Sequence, residues 1–310
     1  MQKSITALTE ELRRLKASGV KTVFVSDESL ARLRAARLRS RPASSPKTEE
    51  TKPVAISAKA AEQKPVAPVP VTVESPPAAE PATAARIPAP TPFTLPAGDK
   101  AMRMAALREC VRGDAVCKEN LRPGKQVVVG VGSLDAKIMF VGEAPGGEEE
   151  EIGEPFVGPA GQLLTKMIVA MGLSRGDVYM GNIMNWRPQL QLNESGVQYG
   201  NRPPNPSEMT YCLPYLRAQI EIVNPALLVA LGTTAAQGLL GPGSFKALGD
   251  VRGQWKEFDG RPLMVTYHPS YILRNQSNRS KRMIWEDLLK VMERAGLPIS
   301  EKQRAYFLDK

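Results

Sequence analysis

The chain of 310 residues contains one histidine, three cysteines and few aromatic residues. An odd and low number of cysteines argues against a disulfide framework and favours a reducing compartment. No apolar run reaches the roughly 20 residues that a membrane-spanning helix needs. The N-terminus also lacks the apolar segment of a signal peptide. We therefore expect a cytoplasmic protein that neither crosses a membrane nor is exported.

The single histidine lies in Tyr267-His268-Pro269-Ser270, directly after an apolar run. Histidine is the side chain best suited to sharing a proton near neutral pH. His268 is therefore a candidate for site chemistry, and the alternative is a loop histidine without a role.

The net charge of +9 is unevenly distributed. Residues 1–41 carry ten Lys and Arg against four Asp and Glu, with spacing that fits helix–strand–helix. Residues 42–98 hold 13 of the 27 prolines. We therefore divide the chain into a small basic N-terminal arm (1–41), a disordered Pro/Ala-rich linker (42–98) and a folded domain (99–310). A nucleic-acid partner is the usual interpretation of such an arm, and a solvated basic helix is the alternative.

Apolar runs and helical patterns alternate within residues 99–310. The apolar runs at 136–141, 178–183, 226–231 and 263–267 predict buried strands. Helical spacing predicts helices at 161–171, 207–223, 233–240 and 285–294. This order predicts an α/β fold, a three-layer α/β/α sandwich with a central, mostly parallel four-stranded sheet. Ligands of such sheets bind at the carboxyl ends of the strands.

Two loops near those ends carry candidate site residues. Residues 142–151 read Gly-Glu-Ala-Pro-Gly-Gly-Glu-Glu-Glu-Glu, which is neither a P-loop nor a dinucleotide fingerprint. Glu143 directly follows a strand and should point into the cleft, whereas we expect residues 149–151 to be solvated. Phe156 lies in a Pro/Gly-rich stretch and could offer a flat face to a base, or it could be an ordinary core residue.

Four segments together resemble the family 4 uracil-DNA glycosylases. They are Gly-Glu-Ala-Pro-Gly (142–146), Pro-Phe-Val-Gly-Pro-Ala-Gly-Gln-Leu-Leu (155–164), Asn-Ile-Met-Asn-Trp-Arg-Pro (182–188) and His-Pro-Ser-Tyr-Ile-Leu-Arg (268–274). The resemblance covers most of residues 100–298. It implies a monofunctional DNA glycosylase that hydrolyses the N-glycosidic bond of uracil in single- or double-stranded DNA and so initiates base-excision repair. Such an enzyme works at the nucleoid.

The resemblance also implies roles for individual residues. His268 matches the catalytic histidine, which we expect to donate a hydrogen bond as a neutral imidazole to the departing uracil. Glu143 is the nearest carboxylate that could orient water or bind the base, or it could cap backbone N–H groups. Phe156 would stack on the flipped ring and Asn182 would read the pyrimidine edge. The substrate-binding set also includes Gly142 and Ala144.

A loop after His268 is expected to wedge into the DNA, with nearby basic residues holding phosphates. The alternative is a surface loop whose charges serve solubility. The residues concerned are Tyr271, Leu273, Arg274, Arg279, Lys281 and Arg282.

Most members of this family carry four cysteines for a 4Fe–4S cluster. Here Cys117 and Cys212 match two of the four positions, Trp186 occupies the third, and Cys110 is displaced from the first. Because a cluster normally needs four thiolates, we expect no cofactor or metal in this chain.

Three further expectations concern the reaction and the partners. No lysine lies in the matched motifs and no second histidine precedes residue 268, so we expect hydrolysis without lyase activity or covalent capture. The rival functions are excision of hypoxanthine or xanthine, and a non-catalytic DNA-binding module. We expect a monomer whose arm is available to a replication or repair protein.

Overall fold

The computed structural model describes residues 87–190, 198 and 200–308. The predicted arm at 1–41 and most of the predicted linker lie outside these residues. None of the helices in the described part is both long enough and apolar enough to span a lipid bilayer.

Helices and strands alternate through the described domain, as the apolar patterns predict. The helices are α1 (Lys100–Gly113), α2 (Ala115–Glu119), α3 (Gly147–Ile152), α4 (Pro159–Ala170), α5 (Pro206–Val223), α6 (Thr233–Leu240), α7 (Pro269–Arg274), α8 (Asn278–Arg294) and α9 (Glu301–Arg304). The strands are β1 (Val131–Gly132), β2 (Ile138–Gly142), β3 (Tyr179–Asn182), β4 (Leu227–Leu231), β5 (Trp255–Phe258) and β6 (Arg261–Thr266).

The described strands form one sheet in the order β1-β3-β2-β4-β6-β5. The four predicted strands are β2, β3, β4 and β6, and they pair in parallel at the centre. Short antiparallel strands are added at both edges. The predicted α/β class with a mostly parallel four-stranded core is therefore confirmed, and the sheet is two strands wider than expected.

Side chains of the central strands alternate between two apolar clusters. Met139 and Val141 belong to one cluster, together with residues of α1, α5 and α6. Ile138 and Phe140 belong to the other cluster, together with residues of α4 and α8. Since successive strand residues point to opposite faces, helices cover the sheet on both sides. This is the three-layer sandwich that the sequence predicts.

The edge strand β5 joins β6 through a turn that the sequence signals. Phe258 pairs with Arg261, so the turn has two residues, Asp259 and Gly260. Both have positive φ, 47° and 76°, as a type I′ hairpin turn requires. The Asp-Gly pair favours this turn, but the strand before it is only partly buried and lacks a clear apolar run.

The last part of the predicted linker contacts the folded domain. Phe93 stacks on Tyr215 of α5 with ring centroids 5.1 Å apart. Ile87 and Leu95 pack against the same apolar cluster. Residues 87–98 therefore contribute to the core, which moves the domain boundary that we propose from 99 to about 87.

Helix α4 offers a test of this packing. Leu164 is fully buried against the sheet, whereas Val169 on the same helix is 61% exposed. Leu164→Ala should lower the free energy of unfolding by about 2–5 kcal/mol, since it removes buried carbon and leaves a cavity. Val169→Ala is the matched control and should change it by no more than about 0.5 kcal/mol. Urea denaturation measures both, and equal losses would contradict this account of the layers.

Candidate active site

A cleft of about 770 Å³ opens at the carboxyl ends of the parallel strands. Glu143 directly follows β2, Asn182 ends β3, Gly232 follows β4, and His268 comes two residues after β6. The parallel pairing thus brings distant parts of the sequence to one edge of the sheet. Of the residues singled out from the sequence, the cleft is lined by Glu143, Ala144, Phe156, Asn182, His268, Tyr271 and Arg274.

Gly142 allows the aromatic and amide groups to approach each other. A Cβ at this position would lie 2.4 Å from Asn182 Oδ1 and 2.6 Å from Phe156 Cζ. The amide oxygen and the ring edge are therefore within about 5 Å of each other. A side chain at residue 142 would occupy the space that both groups share.

Phe156 is buried and also faces the cleft. Its ring lies 6.4 Å from the His268 ring, centroid to centroid, with 29° between the planes. A flat molecule held between both faces would need roughly 7 Å, two contacts of about 3.5 Å each. A base that stacks on Phe156 must therefore meet the imidazole with its edge.

Asn182 supplies a polar group beside this aromatic face. It is 7% exposed, and it lines the cleft. A primary amide carries both a donor and an acceptor, so it can pair with adjacent donor and acceptor atoms of a ligand. The amide is largely shielded from bulk water but faces the cleft, which favours a bound polar edge at this position.

The protonation of His268 follows from its contacts. The backbone N–H of Ser270 donates to His268 Nδ1 at 3.2 Å, and Ser270 Oγ lies 2.8 Å from the same atom. Since Nδ1 accepts, the proton of the neutral ring is on Nε2. Burial, with a smaller contribution from the positive charge of Arg274, lowers the pKa of His268 to about 4. At neutral pH the ring is an uncharged donor at Nε2.

Glu143 is half-buried next to Thr234 at the start of α6. Burial raises the pKa of Glu143, and a hydrogen bond from the Thr234 side chain partly offsets this effect. A carboxylate with a raised pKa is suited to accept a proton. The sequence did not identify Thr234 as a partner of Glu143, because a threonine at the start of a helix is commonly only a helix cap.

We expected residues 149–151, in the acidic run after β2, to be solvated. That prediction is wrong for two of the three residues. Glu149 accepts from the N–H groups of Gly146 and Gly158, at 3.0 and 2.9 Å, and so joins the two loops of the cleft. Glu150 is buried and pairs with Arg187 at 2.8 Å. Only Glu151 behaves as expected, since it is exposed and pairs with Lys125. A glutamate three residues after a helix N-cap is the sequence signal that identifies Glu149.

The predicted DNA-binding residues divide into two groups. Tyr271 and the exposed Arg274 line the cleft, and Tyr271 stacks on Tyr267 at 4.3 Å. Leu273 is half-buried and lies outside the cleft, as do Arg279, which is exposed, and the half-buried Lys281. Arg282 donates to Glu286 and to the carbonyls of Arg304 and Tyr306, so its guanidinium is engaged within the domain.

The fold and the cleft together define an α/β protein with an aromatic face, a side-chain amide and an imidazole donor at one edge of its sheet. The model of the Uracil DNA glycosylase superfamily matches residues 129–289. The chain belongs to this superfamily.

Several relatives are named type-4 uracil-DNA glycosylases. The protein from Thermotoga maritima is 42% identical over 188 residues, 60% of this chain and 92% of the relative. The protein from Pyrobaculum aerophilum is 41% identical over 165 residues, 51% of this chain and 78% of the relative. The protein from Archaeoglobus fulgidus is 39% identical over 178 residues, 55% and 84% of the two chains.

These relatives overturn one prediction. We expected no cofactor because the chain has only Cys110, Cys117 and Cys212 as thiols. Similarity to the type-4 group instead implies a 4Fe–4S cluster, so the prediction is wrong. The number of cysteines in the sequence was therefore not sufficient to predict the cofactor.

The residues at the positions where the family's cysteines hold the cluster do not supply a complete set of ligands in this chain. Cys117 and Cys212 are fully buried, and desolvation raises the pKa of both thiols. Asp114, which by the resemblance lies near the family's first cysteine position, is already engaged, because it accepts from the hydroxyls of Tyr211 and Tyr215 at 2.7 and 2.9 Å. Among the described residues, no group of three or more His, Cys, Asp or Glu side chains is arranged to hold a metal ion. The reaction that we propose therefore has no step that uses an iron–sulfur cluster.

The histidine can be examined directly, since its ring signals are unique in the chain. Proton–nitrogen NMR between pH 3 and 8 should show a neutral ring protonated on Nε2, with the pKa near 4. The shift is downward, so the ring charges only when the pH falls below about 5. A pKa near the ordinary value of about 6.5 would contradict the burial and tautomer described here.

Proposed function

We propose that this protein excises uracil from DNA by hydrolysis of the N-glycosidic bond, as the first step of base-excision repair. One observation carries the proposal, the convergence of Phe156, Asn182 and His268 on a single cleft. The names of the type-4 relatives support the same substrate.

Recognition begins when the target nucleotide leaves the base stack, at a cost of roughly a few kcal/mol. Phe156 stacks on the extruded ring. The Asn182 amide donates to O4 of uracil and accepts from N3–H. Cytosine reverses both polar groups at that edge, so it would leave buried polar atoms unpaired and is rejected.

Departure of the base depends on His268. The bond between C1′ and N1 breaks, and its electron pair leaves with uracil, whose negative charge spreads onto O2. The Nε2–H of the neutral imidazole donates to O2 and stabilises that charge as it forms. Because the ring is already neutral, it acts through a hydrogen bond and does not need to transfer a proton.

Water completes the hydrolysis. The departing base leaves a cationic sugar, and a water oxygen adds to C1′ while its proton passes to the Glu143 carboxylate. Glu143 could instead bind the base or serve as a backbone cap. No lysine lines the cleft within the described residues, which supports hydrolysis over an amine-dependent lyase reaction.

DNA is the macromolecular substrate of this reaction. We propose that Tyr271 and Arg274 contact the DNA at the cleft, with Leu273, Arg279 and Lys281 on the adjoining surface. Arg282 has a weaker case, since its donors are occupied by Glu286 and by backbone carbonyls.

Further proposals concern the setting of the enzyme. It acts as a monomer on chromosomal DNA in the cytoplasm, in either single- or double-stranded form. A replication or repair protein is the proposed partner of residues 1–41, which lie outside the described part of the chain.

An oligonucleotide assay tests the function. The protein should release uracil, and not hypoxanthine, xanthine or thymine, from otherwise identical strands that are then cleaved by alkali at abasic sites. His268→Ala should slow uracil release by about 10²–10³-fold, as expected for loss of one charge-stabilising donor. Its affinity for uracil-containing DNA should stay within about twofold, because most of that affinity comes from phosphate contacts.

Val169→Ala, an exposed change on α4 outside the cleft, is the control and should leave the rate unchanged. Release of a purine in place of uracil would favour the first rival function. Binding without release of any base would favour the DNA-binding module, and full activity of His268→Ala would remove the role given to the imidazole.

Truncation tests the domain boundary. A chain of residues 87–310 should excise uracil within about twofold of the full-length rate, because it keeps both the cleft and the core. A chain of residues 99–310 loses the Phe93–Tyr215 stack and should melt at a lower temperature, by about 2–4 °C for each kcal/mol lost. Calorimetry measures the melting temperatures of both truncated chains. Identical values would place the start of the folded domain at residue 99.

A further inference from the structure

The segment that carries Phe156 has an unfavourable backbone conformation. Phe156 has φ of 57°, in the left-handed region that aromatic residues rarely adopt. Such a residue persists only where surrounding contacts hold it. The contacts that hold this segment therefore determine where the ring lies.

Arg175, in the connection between α4 and β3, makes the principal contact. Its Nη1 donates to the carbonyl of Phe156 at 2.9 Å, and its Nη2 donates to the carbonyl of Pro155 at 2.5 Å. Nη1 also lies 3.4 Å from Thr165 Oγ1 on α4. The planar guanidinium thus spans two successive carbonyls, a geometry that a point charge cannot reproduce.

Two other contacts confine the same segment. On one side, Glu149 accepts from the N–H of Gly158. On the other side, α4 approaches so closely that a Cβ at Gly161 would lie 1.9 Å from the Phe156 carbonyl oxygen. The backbone of Phe156 is held between Arg175 and α4, and its ring is directed to the cleft.

We propose that Arg175 is a positioning residue for base stacking. It does not line the cleft and touches no reacting atom. It fixes the left-handed conformation of Phe156 through two carbonyls, and so sets the plane on which the extruded pyrimidine stacks. This inference rests on the proposed function, because it assigns Arg175 to the stacking step of that reaction.

A double-mutant cycle separates this role from general stabilisation. The variants are Arg175→Gln, Arg175→Lys, Phe156→Leu and the double variant Arg175→Gln with Phe156→Leu. Arg103→Gln is the matched control, since Arg103 is also partly buried and pairs with Glu221 on α5, in the layer opposite α4. For each, we would measure single-turnover excision, inhibition by free uracil, affinity for abasic DNA and the melting temperature.

Arg175→Gln should slow excision and weaken inhibition by uracil by about 10-fold, within the range of one base–aromatic stack. Arg175→Lys should show part of both losses, because it keeps the charge but not the planar fork. Affinity for abasic DNA should not change. In the Phe156→Leu background, Arg175→Gln should add less than about twofold, since both changes remove the same interaction.

Multiplicative losses in the double variant would overturn the inference, as would wild-type excision and uracil inhibition in both Arg175 variants. A loss in Arg103→Gln equal to that in Arg175→Gln would show a general effect of stability and would also overturn it. All of these comparisons require that the wild-type protein releases uracil. A wild type that releases no uracil would refute the proposed function and this inference together.

Discussion

The parallel pairing of β2 with β3 and β4 is the constraint on which the rest of the structure depends. It places Gly142 opposite Asn182, and the pairing of β4 with β6 places Leu231 opposite Thr266. The residues that follow these strand ends therefore meet at one edge of the sheet, although Glu143 and His268 are 125 positions apart in the sequence. Successive residues of these strands pack into two different apolar clusters, so a shift by one residue would exchange the side chains of the two faces and disturb the packing of both.

Hydrogen bonds between side chains and backbone groups set the geometry of the site. The Ser270 N–H fixes the tautomer of His268, and two carbonyls held by Arg175 fix the backbone of Phe156. Glu149 joins two loops through the N–H groups of glycines. Because each contact joins one particular side chain to a backbone group, the geometry of the site depends both on the local backbone path and on side chains that are distant from the cleft motifs in sequence.

This dependence explains how much could be predicted from the sequence. The four central strands are continuous apolar runs, so both their positions and their parallel order were predictable. Glu143, Phe156, Asn182 and His268 could be singled out because each follows or ends a predicted element or belongs to a motif. Arg175 could not, since no periodic pattern relates it to a carbonyl 19 residues earlier. The edge strand β5 was missed for a different reason, because its Asp-Gly turn was present but its strand is only half-buried.

Desolvation shifts the pKa values of His268 and Glu143, two of the ionisable groups that line the cleft, in opposite directions. It lowers the pKa of His268 and raises the pKa of Glu143. The imidazole is therefore uncharged at neutral pH, whereas the role proposed for Glu143 requires its carboxylate form. In the proposed reaction, charge develops on the substrate as the glycosidic bond breaks, negative on the base and positive on the sugar. In this proposal the imidazole N–H and the Glu143 carboxylate interact more strongly with the transition state than with the bound substrate, which is the condition for catalysis.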